Sequence, residues 1–161
     1  MAQTAMSTAS FKTFLSAGNK AIFTIQSHKT GTRFTYRVRM SKDQRVFFVS
    51  VLTGADNTSA YTFIGTLKPG VGYVHSHKSP IGPDAPSAVA FAWLFKSLKA
   101  GVDVAAKADL YHEGKCGRCG RCLTVPESIK TGLGPDCAAL MSAAAAQVKA
   151  ERAARPMAIA A

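Results

Sequence analysis

From Ala21 to His77 apolar and polar residues alternate with a period of two, the signature of strands that bury one face. Five such runs follow one another: AIFTIQS, TRFTYRVRM, RVFFVSVLT, YTFIGTLK and VGYVHSH. They are separated by HKTG, SKDQ, GADNTSA and PG, all turn chemistry. Connections this short require antiparallel neighbours, because a parallel crossover needs a dozen residues or more. A five-stranded antiparallel meander is therefore expected. Beyond the Pro-rich SPIGPDAPS the period changes to that of a helix, with Phe91, Leu94, Phe95 and Leu98 on one face of residues 87–100 and Gly101 in the place of a C-terminal cap. This helix is expected across one face of the sheet.

Residues 1–19 carry no clear period and read as a flexible N-terminal arm, with one short helix around Phe11 to Leu15. At the other end GPDCAALMSAAAAQVKAERAAR reads as an Ala-rich helix, with Pro135 at its first position, Pro156 beyond its end and a weak stripe of Leu140, Met141, Ala144 and Val148. The fold class is α+β: a small antiparallel sheet with one packing helix, then a zinc-ribbon-like module and a C-terminal helix. The expected divisions are the arm at 1–19, a basic β-rich domain at 20–106, a metal-binding module at 107–138 and the Ala-rich helix and tail at 139–161.

The module rests on HEGKCGRCGRC, His112 to Cys122, and on GLGPDC ending at Cys137. Cys116 and Cys119 stand at C-x2-C spacing with Gly117 and Gly120, a knuckle in which two thiolates share a tight turn. Cys137 falls in the first turn of the last helix, where the positive end of the helix dipole favours a thiolate, so it is the third ligand. The fourth position lies between His112 and Cys122. Zinc is the expected metal; an iron–sulfur cluster is the alternative, since C-x2-C-x2-C with a distant fourth cysteine also holds iron. With every ligand from protein and no general base adjoining, the site is expected to be closed and structural. The loop LTVPESIKTGLG is expected to wrap it, with Glu127 or Ser128 as a local cap.

HEGKCGRCGRCLTVPESIKTGLGPDC, His112 to Cys137, resembles a family of uncharacterised phage and prophage proteins with the pattern H-x3-C-G-R-C-G-R-x-L-T-x-P-E-S-I-x2-G-x-G-P-x-C. The match covers about a sixth of the chain. The runs KTGTRFTYRVR and FFVSVLTGADNTSAYTFIG also look like the domain that often precedes this module in such proteins. In that family the position of Cys122 is usually not cysteine, so the resemblance implies His112 as the fourth ligand. It implies no activity.

Charge changes the picture next. The 161 residues carry a net +11, and twelve Lys or Arg against four acids lie in residues 1–106, so the basic character belongs to the sheet. Within Thr32 to Met40, Arg33, Thr35, Arg37 and Arg39 project from one side and Phe34, Tyr36, Val38 and Met40 from the other. With Lys29, Lys42 and Arg45 in the flanking turns this makes six cations against Asp43 alone. Arginines about 7 Å apart along a strand suit a phosphate backbone. The competing reading is a solvated face that keeps the protein soluble, and base stacking is weakly supported unless Phe48 of the next strand shares the Arg face.

His75 and His77 share a strand face without a partner carboxylate and read as a solvent-exposed pair, while Trp93, beside Phe91 and Phe95, reads as core. No P-loop, nucleophile elbow, zinc-protease or dinucleotide motif occurs, so no enzyme is nominated. No apolar run is long enough to span a membrane, the start does not read as a secretory signal, and clustered cysteines fit a reducing compartment, the cytoplasm of a host cell if the chain is phage-encoded. The expected function is a small basic zinc protein that binds DNA or RNA through the Arg strand. A protein-binding adaptor or inhibitor of a host factor, docking through the near-neutral module or the last helix, is the alternative.

Overall fold

The computed structural model describes residues 5–17, 20–56, 58–68 and 71–154. Parts of the expected arm (1–4, 18–19), the PG turn (69–70) and the tail with Pro156 lie outside the described residues, as does the side chain of Val148. The five period-two runs form β1 (Ala21–Ser27), β2 (Arg33–Met40), β3 (Phe47–Leu52), β4 (Tyr61–Lys68) and β5 (Gly72–His75), each antiparallel to the next. The expectation of five strands is corrected to six. Ala108–His112, β6, pairs antiparallel with β1, so the sheet order is β5-β4-β3-β2-β1-β6. The residues that begin the expected metal module are therefore also the edge strand of the basic sheet.

One face of the sheet is covered and the other is open, as one-sided antiparallel sheets allow. Two helices cover it where one was expected. α2 (Pro86–Lys99) lays Phe91, Leu94 and Leu98 on the sheet. Phe91 meets Tyr36 of β2 at 5.1 Å and Tyr73 of β5 at 4.8 Å between ring centroids, and the Tyr36 hydroxyl donates to the Ser87 carbonyl at 2.6 Å. Gly101, at φ +73°, follows the end of α2 in the left-handed conformation anticipated there. α1 (Thr8–Ala17) extends the short helix expected in the arm, and far from being loose it buries Phe11 and Phe14 completely. Phe11 packs edge-on to Phe23 of β1 at 4.8 Å, and Met6 ties the segment to β6 by donating to the Leu110 carbonyl at 2.7 Å. Burying two phenylalanines offsets the ordering of the segment by roughly 1.5–3 kcal/mol each.

Register is regular except at Val49/Ser50, where the β3–β4 pairing shifts by a bulge. Gly65 sits there because a Cβ would lie 2.4 Å from the Val74 carbonyl oxygen. His75 is half-buried at the end of β5, with its ring nitrogens on the Tyr73 hydroxyl at 3.2 Å and the Ile81 carbonyl at 3.0 Å. His77 is exposed outside the strand, so the two do not form a pair on one strand face. Trp93 packs partly buried against the core.

After β6 the chain enters a tight hairpin, then α3 (Pro126–Thr131) and α4 (Pro135–Ala154). The wrapping loop thus contains a helix, and its cap is corrected: Val125 stands at the N-terminus with no side-chain hydrogen bond, while Ser128 is buried within the helix. No helix among the described residues is long and apolar enough to cross a membrane.

Candidate functional site

Two features stand out, an open sheet face and a cysteine cluster. On the open face β2 presents Arg33, Thr35, Arg37 and Arg39, with Tyr36 and Val38 fully buried on the opposite side. Arg33 and Arg39 are exposed; Arg37 is held, its carbon 4.3 Å from the centroid of the Tyr61 ring and its guanidinium donating to the Thr58 carbonyl at 3.2 Å. Partial burial, then the neighbouring Arg39, lower the pKa of Arg37 without discharging it. Arg39 stands opposite Phe48 of β3, so that ring does share the Arg face. Phe48 is 45 % exposed and packs edge-on to Phe63 of β4 at 6.1 Å. Phe63 and Tyr61 were missed by the sequence reading, whose alternation fails at the bulge. Lys29 lies in the turn before β2, whereas Lys42 and Arg45 lie in the turn after it, with Arg45 3.9 Å from Asp43. The turn cations therefore bracket the strand at its two ends and do not join one cluster.

The cysteines meet beyond the end of β6, where the knuckle lies against Phe14 of α1 and Lys20. Lys115 and Cys122 pair as an antiparallel bridge, and Cys116 donates to the Arg121 carbonyl, Gly120 to that of Cys116 and Leu123 to that of Gly114, closing the knuckle. Gly120 supplies the φ of +78° that the turn requires. Cys137 arrives in the first turn of α4, and the sulfurs of Cys116, Cys119 and Cys137 all lie within 4.8 Å of one another. A single tetrahedral zinc with Zn–S of about 2.3 Å needs sulfurs about 3.8 Å apart, so the spacing fits one ion. The donor set fits it too: all four cysteines are free thiols. Burial alone would push the Cys116 thiol up, but N–H groups of Cys119, Gly134 and Arg118 directed at its sulfur outweigh that and bring it down to about 7. The Gly134 bond measures 3.4 Å. Burial, followed by hydrogen bonds with the other two thiols, pushes Cys137 up; a metal that replaces these protons removes that penalty.

The two candidates for a fourth ligand stand apart from this trio. His112, at the end of β6, is buried with both ring nitrogens engaged: Nε2 donates to the Ile129 carbonyl at 2.5 Å and Nδ1 accepts from the Gly114 N–H at 2.9 Å. It braces the strand end to α3. Cys122 is exposed, and lines a cavity of about 350 Å³ together with the three clustered cysteines. Asp136 lines it as well, a carboxylate that the sequence reading did not place at the site.

The knuckle is also anchored to the sheet. Lys20 donates to the Gly117 carbonyl at 2.9 Å and Gly117 to that of Gly132 at 3.0 Å. Phe14 of α1 lies against both glycines, where a Cβ would come within 2.6 Å and 2.5 Å of its ring.

Residues 106–142 match the model of a family of unknown function, DUF6011. No curated protein and no solved structure matches the chain. The DUF6011 match takes in β6, the knuckle, α3 and the first turns of α4. It therefore includes a strand of the sheet as well as the three clustered cysteines, which lie close enough to bind a metal ion.

Proposed function

We propose that this protein binds nucleic acid through the open sheet face, and that a zinc ion held by its cysteines fixes the C-terminal module. The observation carrying the first part is the outward row of Arg33, Arg37 and Arg39 on a central strand whose opposite face is sealed by two helices. Each phosphate that these cations neutralise releases counterions, so affinity falls steeply with salt. The test is binding of zinc-loaded protein to labelled DNA and RNA between about 50 and 200 mM salt, beside an Arg33/Arg37/Arg39→Ser variant. A shallower salt slope in the variant supports the reading; no wild-type binding at about 50 mM refutes it.

For the metal, the apolar cluster beneath the knuckle is small, built around Ala17, Cys116, Leu133 and Cys137. Such a core cannot order its loops alone, and zinc bound by three or four thiolates supplies the missing folding energy. The sulfur spacing favours a single ion over an iron–sulfur cluster, in which the cysteines bind different irons and stand farther apart. Cys122 is the better fourth donor. It is exposed and lines the cavity, whereas His112, binding a metal through one ring nitrogen, would give up at least the buried Gly114 bond to Nδ1, at about 1–3 kcal/mol for the donor left unpaired. Native mass spectrometry should find one zinc per chain, and alkylation of the loaded protein should spare all four thiols. Labelling of Cys122 alone would return the fourth position to His112.

A second reading is favoured by one observation. Val125, 47 % exposed, and Leu140, 54 % exposed, flank the cysteine cavity and form an apolar rim suited to a protein partner. Val125→Ser with Leu140→Ser would abolish such docking and leave nucleic-acid binding intact. The module of a phage-encoded inhibitor of a host factor would behave in this way.

A further inference from the structure

The open face carries more than charge. Antiparallel sheets that turn one side to water normally fill it with polar residues, yet here Phe48 and Phe63 meet edge-on in its middle, Phe48 nearly half exposed. Neither belongs to the buried core. Arg39 stands directly across from Phe48 in the β2–β3 register, and Thr66 of β4 stands across from it on the other side. Tyr61, the next ring on this face, is already covered by the Arg37 guanidinium. The aromatic surface beside Arg39 is thus the Phe48–Phe63 pair, with that exposed arginine at its border; Tyr111 of β6, on the same face through the Thr35–Thr24–Tyr111 register, stands across β1 and β2 from it.

We infer that this pair is a stacking platform for the bases of a single-stranded nucleic acid, with Arg39 receiving the adjoining phosphate. The inference rests on the nucleic-acid reading above and names its substrate class. A duplex hides the faces of its bases inside its own stack; a single strand can turn them outward onto a ring. Stacking is indifferent to base identity because every base has a π-face, so the platform selects strandedness and not sequence. Charge complementarity makes the occupant nucleic acid and not an apolar peptide: the rings are bordered by Arg39 and Arg37 on a chain of net charge +11. Arg37, tied to Tyr61 and Thr58, orders the face, while the exposed Arg39 and Arg33, in no ion pair among the described residues, can follow the phosphates.

Fluorescence anisotropy with a labelled single-stranded 20-mer and the same sequence as a duplex tests this, using the zinc-loaded full chain. The wild type should prefer the single strand. Phe48→Ala should weaken single-strand binding by about 5- to 150-fold while leaving duplex binding and the salt slope unchanged. Phe48→Tyr, which keeps a ring, should restore it. Arg39→Ser should instead lower the salt slope by about 0.7. Because Phe48 is at the surface, circular dichroism of each variant should match the wild type. Equal loss on both nucleic acids, or undiminished single-strand binding in Phe48→Ala, overturns the platform but leaves nucleic-acid binding standing. Absence of wild-type binding to either overturns both. A dimer that Phe48→Ala dissolves, with no change in binding, overturns the platform in favour of a second copy on this face.

Discussion

Gly132 offers the sharpest test of how the module is joined to the sheet. It ends α3 at φ +73°, ψ +12°, its N–H bonded to the Ser128 carbonyl, and a Cβ there would lie 2.5 Å from the Phe14 ring and 3.1 Å from the Met6 methyl. Gly132→Ala thus carries two separable penalties. The left-handed backbone costs an L-residue roughly 1–2 kcal/mol. Crowding a fully buried ring adds about 1–3 kcal/mol, for a total of about 2–5 kcal/mol. Phe14→Ala alone should cost about 3–5 kcal/mol through the cavity it leaves. In the Phe14→Ala background, however, the new methyl enters vacated space, so the backbone penalty and the milder crowding of the flexible Met6 methyl should remain. The double-mutant cycle should show a coupling of about 1–3 kcal/mol. Urea unfolding at a fixed, buffered free-zinc concentration measures all four corners, since the proposed zinc would itself contribute to the stability. Additivity within about 0.5 kcal/mol would refute the contact between α1 and the module.

Cys137→Ser should cost zinc affinity outright and expose the module to proteolysis, and a chelator should do the same to the wild type while the sheet stays folded; retained protease resistance without metal would contradict a structural zinc. Tyr36→Phe should lower stability by about 0.5–1.5 kcal/mol in urea, the worth of its hydrogen bond to Ser87, with the ring packing intact. His28 lies 3.0 Å from Asp109, and that hydrogen bond raises its pKa above the ordinary 6.5. A raised folded-state value means that its contribution is complete below pH 6.5 and fades as pH rises through the raised value. An NMR titration of the His28 ring should therefore show a midpoint above 6.5 that falls back in Asp109→Asn; an unchanged midpoint in that variant would remove the pair.

Much of the architecture is legible along the chain because it is local. β1 to β5 are neighbours in sequence and in space, so the period-two runs and turn residues between them specify both strands and order. The cysteine knuckle is legible for the same reason: C-G-R-C-G closes its own turn. The partition of β2 into an arginine side and a buried side follows from alternation alone, since each residue reverses the direction of its neighbour.

What the tertiary structure decided is what depends on partners distant in sequence or on a break in period. β6 is five residues long and becomes a strand only because β1 offers it an open edge. α1 is marginal as an isolated helix and is held by the space that Phe11 and Phe14 fill beneath Phe23 and beside Gly117 and Gly132. The bulge at Val49/Ser50 moves Phe63 and Tyr61 onto the arginine face, which no count by twos along YTFIGTLK could anticipate. His112 and Cys122 are both good ligand types at plausible spacing. Only the folded chain shows the histidine spending both nitrogens on the backbone while the cysteine stays free beside the cavity, because hydrogen-bond partners, unlike residue types, are chosen in three dimensions.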